Sequence, residues 1–210
     1  MPFFFRQRRP LPRRGAAKAE SSPGTSVAAF LRKLPLRKSV LAIVAVQTSI
    51  QSLGNSAGAD NLATMLLLLD KVQTYGGHKD ICLFPAVALP GDALPVLVQA
   101  ARRYNCTLVF GIEGTTSRGG RLTITIAPTG EVRLEHAVRH DASVLTLRTR
   151  QGTYRAVACG ADAWYSESIG LTTAIHSPDG RAIVASRSRA EQAVAAVLHV
   201  GPDRTDWRPT

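Results

Sequence analysis

The sequence predicts a layered α/β fold, and three observations carry that expectation. From Val40 onward, short apolar runs rich in Val, Ile and Ala alternate with segments of helical periodicity. Two turn signatures, Pro128-Thr129-Gly130 and Pro178-Asp179-Gly180, each separate a pair of β-prone runs, as hairpin turns do. The order strand, helix, strand, helix, strand, then hairpins puts two helices early and few later.

Element by element, Leu41 to Thr48 reads as a first strand. Asn61 to Gln73 reads as a helix, because Leu62, Met65, Leu66, Leu69 and Val72 recur at three- and four-residue spacing, with Asp60 as its N-cap and Gly76-Gly77 beyond its end. Ile81 to Phe84 is a second strand and Leu94 to Tyr104 a second helix, whose Arg102 and Arg103 suit the negative end of the helix dipole. Thr107 to Ile112 is a third strand. The later strands are expected at Arg121 to Ala127, Glu131 to Glu135, Ser143 to Arg148, Tyr154 to Ala158, Thr172 to Ser177, Arg181 to Ser186 and Ala193 to Val200.

With 210 residues and 45% apolar content the chain can fill one domain. Its formal charge of +11 is concentrated: residues 1–39 hold ten Lys and Arg against the single acid Glu20, a net of +9, which leaves +2 for all that follows. This Pro-, Ser- and Arg-rich stretch lacks the periodicity that buries a face, so it reads as a disordered basic tail. Such an arm fits a nonspecific anionic partner, with binding that falls steeply as salt rises. A domain at 40–201 and a short tail at 202–210 complete the expected organisation.

No apolar stretch near Met1 forms a secretory signal and none is long enough to span a bilayer, which predicts a cytoplasmic protein without a transmembrane segment. Three widely spaced cysteines, Cys82, Cys106 and Cys159, form neither a disulfide framework nor a zinc motif, and the five scattered histidines show no paired spacing. No metal or other cofactor is expected. Cys82 and Cys106 are read as residues inside apolar strands, whereas Cys159 ends one, just before Gly160. Strand ends line the ligand crevice of open α/β sheets, so Cys159 and Glu113 are well placed for chemistry.

Several local sequences, taken in order, resemble the carbon-nitrogen hydrolase (nitrilase) superfamily. Ala42-Ile43-Val44-Ala45-Val46-Gln47 is similar to its opening strand, Asp80-Ile81-Cys82-Leu83-Phe84-Pro85 to its second and Phe110-Gly111-Ile112-Glu113 to its third. Pro128-Thr129-Gly130-Glu131-Val132 and Ser177-Pro178-Asp179-Gly180-Arg181 look like its two turns, and Gly152 to Cys159 resembles the strand that ends at its nucleophile. The likeness runs from about Leu41 to Val200. It implies an α-β-β-α sandwich of the nitrilase type, incomplete in its C-terminal half, because several tens of residues that the family places after Ser168 are absent.

The resemblance also implies a chemistry: a cysteine thiolate attacks an amide or nitrile carbon, a glutamate takes the proton and a lysine steadies the oxyanion, through a thioester intermediate. A thiol needs a base within hydrogen-bond reach, and the developing charge needs a fixed cation in a dry site. Cys159 keeps the nucleophile's residue type. The glutamate position holds Ala86, which takes no proton, and Glu113 at the end of the next strand is the substitute candidate. The lysine position holds Val138, with Arg139 beside it as the candidate cation, although one residue along a strand points to the opposite face.

Two functional classes follow. One is an amide- or nitrile-cleaving hydrolase, or a related acyltransferase, acting on a small molecule. Phe84-Pro85-Ala86-Val87-Ala88-Leu89-Pro90 looks most like the lipoprotein N-acyltransferase branch. The other is a catalytically inactive nitrilase-like binding or assembly module, a homo-oligomer or a partner of anionic surfaces through residues 1–39.

Overall fold

A computed structural model describes residues 40–49, 57–75, 77–113, 121–136, 142–149, 151–160, 172–186, 192–199 and 206–209. In chain order the elements are β1 (Val40–Gln47), α1 (Ala57–Thr74), β2 (Ile81–Val87), α2 (Ala93–Tyr104), β3 (Thr107–Glu113), β4 (Arg121–Ile126), β5 (Val132–His136), β6 (Ala142–Thr149), β7 (Gly152–Cys159), β8 (Ala174–His176), β9 (Ala182–Ala185), β10 (Gln192–His199) and β11 (Asp206–Pro209). The expected basic tail, residues 1–39, lies outside the described residues.

The strands form two sheets. The first runs β10-β1-β2-β3-β4-β5, and its β1, β2 and β3 are parallel neighbours while the outer pairings are antiparallel. The second runs β11-β6-β7-β8-β9 and is antiparallel throughout. Alternation along each strand decides which face is buried where. Leu41, Ile43, Ala45, Ile81, Leu83 and Val109 meet Leu145, Leu147, Ala156, Ala158 and Ile175 in an apolar layer between the sheets. Val44, Val46, Phe84, Leu108 and Phe110 point the other way and pack under Met65 and Leu69 of α1 and Leu97, Ala100 and Ala101 of α2. The strands β1 and β2 are therefore apolar without alternation, as strands buried on both faces must be. The outer helix layer expected over the second sheet has no counterpart among the described residues.

Four details depart from the sequence reading. α1 starts at Ala57, not at an Asp60 N-cap; Asp60 lies in its first turn. The early start is possible because Gly58 lets the helix press on the loop after β2, where a Cβ would sit 3.1 Å from the Pro90 nitrogen, and Asn61 Nδ2 donates to the Ala88 carbonyl at 3.0 Å. β2 continues past Phe84 to Val87, with its register against β3 shifted between Leu83 and Ala86. Pro85 has no N–H to give the ladder, so the strand bulges there and resumes. Cys106 is not inside a strand: it follows the left-handed Asn105 cap of α2, and its N–H donates to the Ala101 carbonyl at 3.1 Å. Asp206–Pro209, expected as tail, pairs with β6.

Asp80 fastens the start of the parallel ladder. Its N–H donates to the Ala42 carbonyl at 2.9 Å, its carbonyl accepts from Thr107 N–H at 2.8 Å, and its carboxylate accepts the Ala42 N–H at 2.9 Å. The two hairpin turns form as expected, with Gly130 and Gly180 at φ of 88° and 82°, a conformation only glycine adopts freely.

Cys82, fully buried, receives a hydrogen bond from Gln73 Nε2 at 3.3 Å. A hydrogen bond with the Cys106 thiol and burial together push the Cys82 thiol well above its ordinary pKa. The unfolded chain ionises this thiol near pH ~8.5 while the folded one keeps it neutral, so its stabilising contribution is intact below that pH and is lost as pH rises above it. We expect the urea midpoint of the protein to fall between neutral and alkaline pH, and that of Cys82→Ala to fall less steeply. Parallel slopes would contradict this assignment.

Candidate functional site

Because β1, β2 and β3 are parallel, their C-terminal ends lie at one rim of the first sheet. Thr48, immediately after β1, forms a parallel bridge with Gly160, immediately after β7. Stacked sheets normally stand about 10 Å apart, whereas bridged backbones approach to about 4.8 Å, so the sandwich pinches shut at this rim and carries the end of β7 to the ends of the parallel strands. Cys159 and Glu113, two residues singled out from sequence, thus both end strands at the same rim. Glu113 is in register with Arg121, and the disposition of its side chain lies outside what the structure describes. Arg139 lies outside the described residues, as does Val138.

Cys159 is buried, at 2% exposure, in a small cluster with Ala142, Val144 and Val157. Strand alternation explains the placement. In β7, Ala156 and Ala158 belong to the layer between the sheets, so Val157 and Cys159 face the other side. The backbone N–H of Cys159 donates to Thr173 Oγ1 at 3.0 Å.

Position 86 lies on the interior side of the first sheet. Ala86 is paired in register with Gly111, and a Cβ added at Gly111 would stand 2.8 Å from the Ala86 Cβ and 3.3 Å from Ser143 Oγ of the opposite sheet. The position where the resemblance implies a glutamate therefore holds a methyl group beside a glycine. Ser143 Oγ, fully buried beside this pair, has no hydrogen-bond partner among the described residues.

A band of buried polar side chains that sequence reading did not single out as a site completes the rim. Ser186 Oγ donates to Gln47 Oε1 at 2.8 Å, and the Ser186 N–H donates to the Thr173 carbonyl at 2.8 Å. Gln47 and Thr173 are fully buried. A signal for it existed: Gln47 and Ser186 each end an apolar run at an interior-facing position, where a polar residue is tolerated best with a partner. The band ties β1 to the strand ends of β8 and β9, so it fixes the rim's geometry. Among the described residues no group of three His, Cys, Asp or Glu could hold a metal ion, and no helix is long and apolar enough to cross a membrane.

No family model and no curated protein matches the sequence. Solved structures similar to this chain include amidases and a carbon-nitrogen hydrolase. An amidase from Nesterenkonia sp. superposes with a TM-score of 0.50 at 11% identity, over 77% of this chain and 91% of that one. A carbon-nitrogen hydrolase from Helicobacter pylori G27 gives 0.39 at 6% identity, over 49% of this chain and 41% of that one. An N-terminal amidase gives 0.36 at 16% identity, over 47% of this chain and 28% of that one. The chain spans less than half the length of the latter two. The amidase superposition shows that the mixed α/β fold of this chain is similar to that of the amidase.

The facing of Ala86 and Gly111 is directly testable. Gly111→Ala is expected to destabilise the protein by about 1–3 kcal/mol, the usual cost of overpacking a filled site. Ala86→Gly in the same chain should restore part of that loss in urea denaturation. Additive effects of the two substitutions would contradict the contact.

Proposed function

We propose that the protein is a nitrilase-fold binding or assembly module that does not carry out the cysteine hydrolase reaction. One observation supports this reading above the others: Ala86, at the position where the resemblance implies the general base, presents only a methyl group beside Gly111. Cys159 is buried beside Ala142, Val144 and Val157, on the face of β7 turned away from the layer between the sheets. The rim keeps the scaffold of a hydrolase site without the group that moves the proton. In this reading the domain begins near residue 40, and the basic segment 1–39 supplies contact with anionic partners in the cytoplasm through charge alone.

A second reading has its own support, the convergence of the ends of β3 and β7 at one rim. In it Cys159 attacks a small amide, Glu113 accepts the thiol proton and passes it to the amine that leaves as the C–N bond breaks, Arg139 steadies the oxyanion, and water releases the acid from the thioester. A nitrile first gives a thioimidate, which water converts to the thioester with loss of ammonia.

The two readings separate by intact-mass spectrometry on the full chain incubated with a panel of simple amides, nitriles and activated esters, alongside ammonia release. The proposal expects no acyl adduct on Cys159 and no release above that of Cys159→Ala. An adduct on Cys159, with ammonia release that Cys159→Ala abolishes, would overturn it in favour of the hydrolase.

A further inference from the structure

The two ends of the sandwich are protected differently. At one end the edge strands are β5 and β11, which contain Arg133, Glu135, Asp206, Arg208 and Pro209. Charges and proline on an edge strand discourage another strand from pairing with it. At the other end the edges are β10, Gln-Ala-Val-Ala-Ala-Val-Leu-His, and β9, Ala-Ile-Val-Ala, which lie over one another. Neither holds Asp, Glu, Lys, Arg or Pro.

β10 has every property of a pairing template. It is eight residues long and keeps an unbroken register with β1 from Val40 opposite His199 to Gln47 opposite Gln192. No bulge twists it away, and no described strand pairs with its outer edge. Val194, Ala196 and Leu198 face the layer between the sheets, while Ala193, Ala195 and Val197 stand exposed on the other face, Val197 at 62%. That exposed face lies beside, not under, the helices, whose core is built on β1 to β4.

We infer that β10 is the interface with a second copy of this chain, pairing antiparallel with its own equivalent about a two-fold axis. A partner for a row of backbone N–H and C=O groups must itself be a strand, and an uncharged alternating strand is matched by another of the same pattern. Side chains that face each other across an antiparallel pair must share a face, which restricts the axis to pass through one residue. An axis at Ala196 sets Val194 against Leu198 of the second copy on the interior face and Ala195 against Val197 on the exposed face. The apolar layer between the sheets then continues from one copy into the next, and the first sheet extends from six strands to twelve. This inference is independent of whether Cys159 is catalytic.

The register supplies the test. In Ala195→Lys/Val197→Lys, each Lys at 195 faces a Lys at 197 of the second copy, whereas in Ala195→Lys/Val197→Glu it faces a Glu. Both variants change only exposed positions, and their melting curves check that each is folded. Sedimentation velocity of the full chain over a concentration series is expected to show a reversible dimer. The Lys/Lys variant should dimerise at least about tenfold more weakly, and the Lys/Glu variant should recover. A monomeric parent, a stoichiometry other than two, a Lys/Lys variant that dimerises like the parent, or a Lys/Glu variant as weak as Lys/Lys would each overturn the inference.

Discussion

The apolar layer between the two sheets is the constraint on which the rest of the structure depends. Leu41, Ile43, Leu83 and Val109 from one sheet and Leu145, Leu147, Ala156 and Ile175 from the other leave water together, and burial of such side chains contributes roughly 1.5–3 kcal/mol each. That burial fixes which residues of every strand point inward. It therefore also fixes that Cys159, one residue beyond Ala158, does not face that layer. Position 86 faces inward beside Gly111 because the bulge between Leu83 and Ala86 interrupts the alternation of β2.

Closure at the rim is the second constraint. The bridge from Thr48 to Gly160 brings the sheets together, and the pairs Ser186 with Gln47 and Cys159 with Thr173 satisfy polar groups that closure buries. Buried polar groups with partners specify one arrangement, since any shift leaves them unsatisfied. The rim is thus held rigid by polar side chains that carry no proton chemistry of their own. A scaffold of this kind suits binding and assembly as well as it suits catalysis, because the fold alone does not choose between them.

Much of the architecture was legible in the chain. The apolar runs around Val44, Leu83 and Val109, the spacing of Met65 and Leu69, and the turns at Gly130 and Gly180 all report local periodicity or a backbone conformation, which sequence expresses directly. What was hidden depends on long-range contact. The start of α1 at Ala57 rests on Gly58 meeting Pro90, the extension of β2 past Pro85 rests on pairing with Gly111, and β11 exists only as a partner of β6. At the site, Ala86 was legible as an alanine where the resemblance implies a glutamate. The side on which Cys159 falls, and its apolar neighbours Ala142 and Val144, came only from the pairing of β6 with β7.

The central proposal is that Cys159 does not serve as a nucleophile, and its alkylation kinetics test this most directly. Iodoacetamide labelling of the native full chain, resolved by peptide and followed across pH with Cys159→Ala as the reference, gives the reactivity of that one sulfur. The account predicts labelling slower than that of a free thiol at every pH, with no plateau below pH ~8.5. Fast labelling of Cys159 with an apparent pKa well under that value would contradict it and place a working nucleophile at the rim.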